Sequence, residues 1–250
     1  MKSLRPLLVF ALILVVLPAL AAAQETERVH KVVPLSPGGT VILHNFSGTV
    51  RIGGADVNDV TIDAVRTAAR DRLDHIKLDV QASGSTVTID ANKKDPDWHV
   101  TNDNVVKTEF DITVPRQARL DIKVFSSDVH VLNVFGDQKI ETFSGDLQVE
   151  GGPARIQAKT FSGDINAGLA AGATGPDLGF ETFSGSIGLK VPGNAAAALD
   201  FDSFSGKLTS DVPLTVTEQR RGHLRGALNG GDAQHRVHLK TFSGDVKILK

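Results

Sequence analysis

The chain has 250 residues, with 27 Lys and Arg against 29 Asp and Glu, a formal net charge of −2, and no cysteine or tyrosine. The absence of cysteine excludes disulfide bonds and a lipidated cysteine. The mild acidity argues against a nucleic-acid partner, because such partners require a basic surface. A chain of this length is long enough for one hydrophobic core, and packing alone must stabilise it.

Residues 1–23 are predicted to be a secretion signal. Lys2 and Arg5 give the basic start, residues 7–20 form an apolar run, and residues 21–23 are the small residues of a cleavage site. The apolar run is too short to span a bilayer comfortably, so we expect no stable transmembrane anchor after cleavage. We therefore predict an exported protein, either periplasmic or secreted to the cell surface, with one mature domain over 24–250.

The elements after the signal are irregular at first. Residues 24–38 are expected to lead into a first repeat over 41–52, and strands are predicted over 57–65, 76–80 and 106–114, where apolar residues alternate. The polar stretch 91–104 is predicted to be a loop.

A Phe-Ser-Gly tripeptide then dominates the sequence. It begins at Phe46, Phe143, Phe161, Phe183, Phe204 and Phe242, and a degenerate copy reads Phe125-Ser126-Ser127. A period near 20 residues is typical of units that bury their apolar faces only by stacking. Because residues alternate on both sides of the Ser-Gly pair, each repeat reads as two short strands bent at a corner. The sequence therefore predicts an all-β fold, a single-stranded parallel β-solenoid (β-helix) of about 18–22 residues per coil.

The corners have a distinct composition. Glycine is expected there because it reaches backbone angles forbidden to other residues. The aspartate that follows is expected to accept local backbone N–H groups. Calcium bound between stacked aspartates is an alternative, but Ser186 and Lys207 interrupt the column. The predicted corner residues are Gly48, Gly145, Gly163, Gly185, Gly206, Gly244, Asp128, Asp146, Asp164 and Asp245.

The alternation also predicts which side chains face outward. If Thr and Ser of each Thr-Phe-Ser point inward, Phe points outward; the opposite parity would bury charged residues such as Glu141 and Lys159. We expect an outer ladder with rungs about 4.8 Å apart. Either its rings only stabilise the stack, or they form a contact surface. The predicted ladder consists of Phe125, Phe143, Phe161, Phe183, Phe204 and Phe242.

The long interval before Phe242 contains a basic stretch, residues 218–232, with Arg220, Arg221 and Arg225. It is predicted to be either a missing coil or a projecting hairpin. The basic stretch is expected to be either a solvated loop or a site for an anionic ligand.

Several motifs together resemble a bacterial family labelled "putative adhesin", domain of unknown function 4097. They are the opening segment 39–53, the strand and proline of 110–115, the recurring Thr-Phe-Ser-Gly-Asp, and the ending 226–231 followed by 237–248. The resemblance runs from about residue 38 to the C-terminus. It implies an exported β-solenoid and supplies no catalytic residues.

The chemistry of the chain points away from catalysis. The repeated serines lack a patterned histidine, the histidines are scattered, and no cofactor motif is present, so no catalytic, cofactor or metal site is predicted. We expect a non-enzymatic protein that contacts a cell-envelope protein or a glycan through the Phe ladder. The alternatives are a polysaccharide-acting enzyme of the β-helix type, with carboxylates and a base in one cleft, and a structural module that self-associates.

Overall fold

The computed structural model describes residues 24–98, 105–153 and 155–250. The predicted signal lies outside the described residues. Their elements are β1 Gln24–Pro34, β2 Thr40–Ala55, β3 Asp59–Ala69, α1 Arg70–His75, β4 Ile76–Ser83, β5 Thr86–Lys94, β6 Lys107–Pro115, β7 Arg119–Leu132, β8 Gln138–Ser144, β9 Leu147–Gly152, β10 Arg155–Ser162, β11 Ile165–Leu169, β12 Asp177–Ser184, β13 Ile187–Lys190, β14 Ala197–Ser203, β15 Leu208–Ser210, β16 Leu214–Arg220, β17 His223–Leu228, β18 Arg236–Ser243 and β19 Val246–Leu249.

The all-β prediction is confirmed, since the 19 strands of the described residues hydrogen-bond into one continuous sheet. The sheet is mixed, so the prediction of a purely parallel solenoid is not confirmed. Strands pair in parallel through the middle of the molecule, whereas β1, β3, β4, β16 and β17 form antiparallel pairs at its two ends. No helix in the described ranges is long and apolar enough to cross a membrane.

The parallel middle, here called the parallel block, consists of β7 to β15 together with β18 and β19. After β7, each repeat contributes one strand before its corner and one after it. The first strands pair side by side and in register, for example Ile140 with Ala158, and so do the second strands, for example Ile165 with Ile187. The inward residues of both sets of strands belong to one hydrophobic cluster, so the two sets enclose a shared core.

The C-terminal repeat does not lie where chain order would place it. Strand β18 pairs in parallel with β12 on one side and with β14 on the other, and β19 lies likewise between β13 and β15. The last repeat is therefore inserted between the two repeats that precede it in the sequence.

Cross-strand charge pairing favours this insertion. One outward row of the parallel block, here called the charge row, alternates in sign from strand to strand. If the strands followed chain order, Glu181 would lie beside Asp202, and like charges directly opposite each other are destabilising. Insertion places Lys240 between those two carboxylates. In spatial order the charge row is Lys123, Glu141, Lys159, Glu181, Lys240 and Asp202.

Antiparallel strands cover both ends of the stack. At the N-terminal end β2 pairs with β7 along both of its halves, and β5, β6, β3, β1 and β4 follow outward. Residues 24–34 of the lead-in expected over 24–38 thus form strand β1. Residues 91–94 of the expected loop belong to β5, and 99–104 lie outside the described residues. At the C-terminal end β17 pairs with β14, and β16 pairs with β17. The basic stretch is therefore a hairpin that packs on the stack rather than a free loop.

Candidate interaction surface

Seven phenylalanine rings stack along the outer face of the parallel block and β2. Neighbouring ring centroids lie 4.6–5.0 Å apart, with interplanar angles of 2–15°. Phe46 belongs to the stack although the predicted ladder omits it, because β2 lies directly beside β7 despite their separation in sequence. We call the set the Phe ladder; its spatial order is Phe46, Phe125, Phe143, Phe161, Phe183, Phe242 and Phe204.

The rings are half-exposed, and stacking decides which part of each ring is exposed. Six rings have 40–48% of their surface exposed, whereas Phe204 has 73%. Each inner ring has a neighbour on both faces, so solvent reaches mainly its edge. Phe204 ends the stack and stacks on Phe242 alone among the described aromatic residues, so one of its faces is open.

Buried threonines fix the strands beneath the Phe ladder. Thr182 Oγ1 donates to the backbone oxygen of Gly163 at 3.0 Å, and Thr241 Oγ1 donates to that of Gly185 at 3.2 Å. Thr142 and Thr160 are also buried and make longer bonds of the same kind. The threonines therefore bond along the stack, to backbone oxygens of the neighbouring repeat.

The expectation of inward serines is wrong. Alternation along the strand stops at the corner, because the chain turns immediately after each Phe and carries the next side chain outward as well. Among the serines of the Phe-Ser-Gly copies, Ser47 is half-buried, and the exposed ones are Ser144, Ser162, Ser184, Ser205 and Ser243.

The corner glycines are required by close approach as well as by backbone angle. Gly163 has φ +150°, and a Cβ at this position would lie 2.1 Å from the backbone oxygen of Gly145 in the neighbouring repeat. Gly206 has no φ in the left-handed region, yet its Cβ would lie 1.8 Å from the oxygen of Gly244. The same approach, at 1.9–2.1 Å, occurs at Gly48, Gly145, Gly185 and Gly244.

The corner aspartates bond between repeats rather than within their own turn, which corrects the expected local role. The backbone N–H of Asp146 donates to Asp128 Oδ1 at 3.0 Å, and that of Asp164 donates to Asp146 Oδ1 at 2.8 Å. Ser186 N–H donates to Asp164 Oδ1 at 2.7 Å in the same way, and Lys207 N–H donates to Asp245 Oδ1 at 3.0 Å. Each carboxylate thus has one oxygen committed to the next repeat.

A groove of about 680 Å³ runs between the Phe ladder and the charge row. Its walls include Glu141, Lys159, Glu181 and Lys240, and Lys159 Nζ lies 3.0 Å from Glu181 Oε1. Beside it, the hydrogen bond from Lys139 to Glu141 raises the pKa of Lys139 above its ordinary value. Carboxylates and lysines do share this groove, as the enzyme alternative requires, and they alternate along its length.

The basic hairpin of β16 and β17 is paired with acidic groups. Arg220 Nη2 lies 2.8 Å from Glu218, and Arg225 lies 3.5 Å from Asp200 and 3.7 Å from Glu218. These two arginines therefore balance carboxylates of the protein itself.

Residues 133–249 match the family model described as Toastrack DUF4097. This part of the chain is therefore similar to that family. The predicted family resemblance is thereby confirmed, although the match begins well after residue 38, where the sequence motifs start. No curated protein matches the chain.

The solved structures that match this chain share little sequence with it. A putative cell adhesion protein from Clostridium sporogenes is 10% identical, with a TM-score of 0.47 over 89% of this chain and 99% of its own. A putative adhesin from Bacteroides fragilis is 11% identical, with a TM-score of 0.39 over 89% and 97%. A putative lipid binding protein from Parabacteroides distasonis is 7% identical, with a TM-score of 0.26 over 92% and 98%.

Proposed function

We propose that this protein is an exported, non-catalytic contact protein whose Phe ladder docks onto an apolar stripe of a protein in the cell envelope. Export follows from the predicted secretion signal over residues 1–23. We further propose that the parallel block behaves as a rigid rod of stacked coils that holds the Phe ladder straight.

The observation that carries the proposal is the continuous row of exposed ring edges. Seven rungs at a strand spacing of about 4.8 Å give a stripe about 30 Å long. Contiguous exposed apolar surface of this kind is typical of interaction sites. Stacking alone would also stabilise the sheet, since an aromatic pair contributes about 0.5–1.5 kcal/mol beyond its burial. The proposal assigns the ladder both roles.

Ring stacking favours a protein over a glycan as the partner. Sugars usually pack their C–H groups against the face of an aromatic ring, and here neighbouring rings cover the faces of all rings except those at the ends. Ring edges, in contrast, pack well against apolar side chains and other ring faces. The alternating charge row beside the stripe adds a pattern of both signs that a protein partner can complement.

The test compares envelope binding by the mature chain, residues 24–250, with binding by a variant that carries Phe143→Ser, Phe161→Ser and Phe183→Ser. We expect the variant to keep its circular dichroism spectrum and to bind at least tenfold more weakly. The matched control changes three exposed apolar residues away from the ladder to serine, namely Val32, Leu132 and Val216. It should bind as the unchanged chain does.

Further measurements distinguish the proposed function from the alternative functions. Binding that survives protease treatment of the envelope would indicate a glycan, and a concentration-dependent mass in light scattering would indicate self-association. Release of products from envelope polysaccharide would indicate the enzyme alternative. Unchanged binding by the folded triple variant would mean that the ladder is purely structural.

A further inference from the structure

We propose that Asp200, Asp202 and His238 form a binding site for a divalent transition-metal cation such as Zn²⁺ or Mn²⁺. Among the described residues these three side chains offer ligand atoms that all lie within 4.8 Å of one another. They are half-buried at the C-terminal end of the charge row. The proposal does not depend on the docking role of the Phe ladder.

The topology brings these residues together. Asp200 and Asp202 are two apart on β14, so their side chains leave the same face of the sheet. His238 on the inserted strand β18 is in register with Asp200, and His223 on β17 is in register with Asp202. Three adjacent strands thus place two carboxylates and two imidazoles on one face.

Two features of the carboxylates favour a cation at this site. Asp200 Oδ1 accepts no hydrogen bond among the described residues and lies 3.8 Å from His223 Nδ1, so this oxygen is available to a cation. His223 Nδ1 lies 2.7 Å from Asp202 Oδ1 and can hold that carboxylate in orientation from the side. Carboxylates that bind metals are commonly fixed by such a neighbouring donor.

The ligand set selects the kind of metal. One imidazole and two carboxylates suit Zn²⁺ or Mn²⁺ better than Ca²⁺, which prefers six to eight oxygens. With metal–ligand bonds of about 2.0–2.2 Å, the ligand atoms of a tetrahedral site lie about 3.3–3.6 Å apart. The three donors, which lie within 4.8 Å of one another, therefore need to close by up to about 1.5 Å when a cation binds. Arg225, 3.5 Å from Asp200 Oδ2, can remain paired with Glu218 when a cation binds.

A bound cation would also fasten the inserted strand. Since its ligands come from β14 and β18, it would join the last repeat of the chain to the repeat beside it. Metal is therefore expected to raise the melting temperature as well as to bind.

The experiment is calorimetric titration of the mature chain, without a polyhistidine tag, with ZnCl₂, MnCl₂ and CaCl₂ in phosphate-free buffer. We expect one Zn²⁺ or Mn²⁺ per chain at micromolar affinity and a higher melting temperature in its presence. Asp200→Asn and His238→Gln should each weaken binding at least tenfold and remove the thermal shift, while melting normally without metal. His223→Gln should weaken binding less.

The matched control is the exposed pair of His30 and Asp63, whose side chains lie 2.8 Å apart and have no third candidate ligand in the part of the chain that the structure describes. His30→Gln and Asp63→Asn should leave binding unchanged. The proposal is overturned if neither Zn²⁺ nor Mn²⁺ binds saturably, if Ca²⁺ binds more tightly than both, or if folded Asp200→Asn and His238→Gln variants bind as the unchanged chain does.

Discussion

Replacing one corner glycine by alanine tests whether the close approach of neighbouring repeats controls the fold. At Gly163 a Cβ would lie 2.1 Å from the backbone oxygen of Gly145 and 2.7 Å from its carbon. Both atoms belong to the corner between β8 and β9, where the Gly145 N–H donates to the backbone oxygen of Ser162, so relief requires one repeat to move relative to the next. The backbone angle adds to the cost, since φ at Gly163 is +150°.

The magnitude follows from these two effects. Overpacking against a fixed neighbour costs about 1–3 kcal/mol, and holding a residue other than glycine in a sparsely populated backbone region costs about 1–3 kcal/mol. We therefore expect Gly163→Ala to lower the free energy of unfolding by about 4 kcal/mol. In a domain of this size that corresponds to a melting temperature lower by about 8–16 °C.

The assay is urea and thermal unfolding followed by circular dichroism, with Trp98 fluorescence as a second probe at the N-terminal end. Coincident transitions would justify a two-state treatment. Gly53→Ala is the control, because Gly53 lies within strand β2, has an ordinary φ, and would place its Cβ in open space. A Gly163→Ala variant as stable as the Gly53→Ala variant would refute the reasoning.

Two further changes probe the parallel block. Lys240→Glu would set three negative charges in succession with Glu181 and Asp202, so we expect a loss of about 1–2 kcal/mol at low salt. This loss of stability should shrink in 0.5 M NaCl because salt screens exposed charges. The control is Lys190→Glu, which should have little effect because the cross-strand neighbours of Lys190 are uncharged. Equal losses of stability in both variants would exclude the charge row as the cause. Thr182→Val should cost about 1 kcal/mol by removing a buried hydroxyl that donates at 3.0 Å; an unchanged melting temperature would show that this bond gives no net stability.

The candidate metal ligands show that a sequence pattern does not predict contacts between distant strands. Asp200 and Asp202 are visible in the sequence as two carboxylates on one strand face. His238, however, is separated from them by a whole hairpin, and it becomes their neighbour only through the insertion of β18. On the other side of β14, His223 lies beside Asp202 on the same face because β17 pairs antiparallel with β14.

The sequence by itself determined the paired strands of the regular repeats and the face of each of their residues up to the corner. Period-two alternation places Thr182 inward and Phe183 outward because a charged residue such as Glu181 cannot be buried cheaply. That argument is local, and it holds repeat by repeat. It ends at the corner itself, where the turn of the chain carries Ser184 outward against the expected alternation.

Only the tertiary structure decided which repeats are neighbours. The pairing of β2 with β7, which adds Phe46 to the ladder, and the insertion of β18 between β12 and β14 both join segments that lie far apart in the chain. Strands of similar length and pattern can pair in several orders, so local alternation does not choose among them. The choice depends on contacts between strands, including opposite charges in adjacent rungs and the cover that the antiparallel end strands provide.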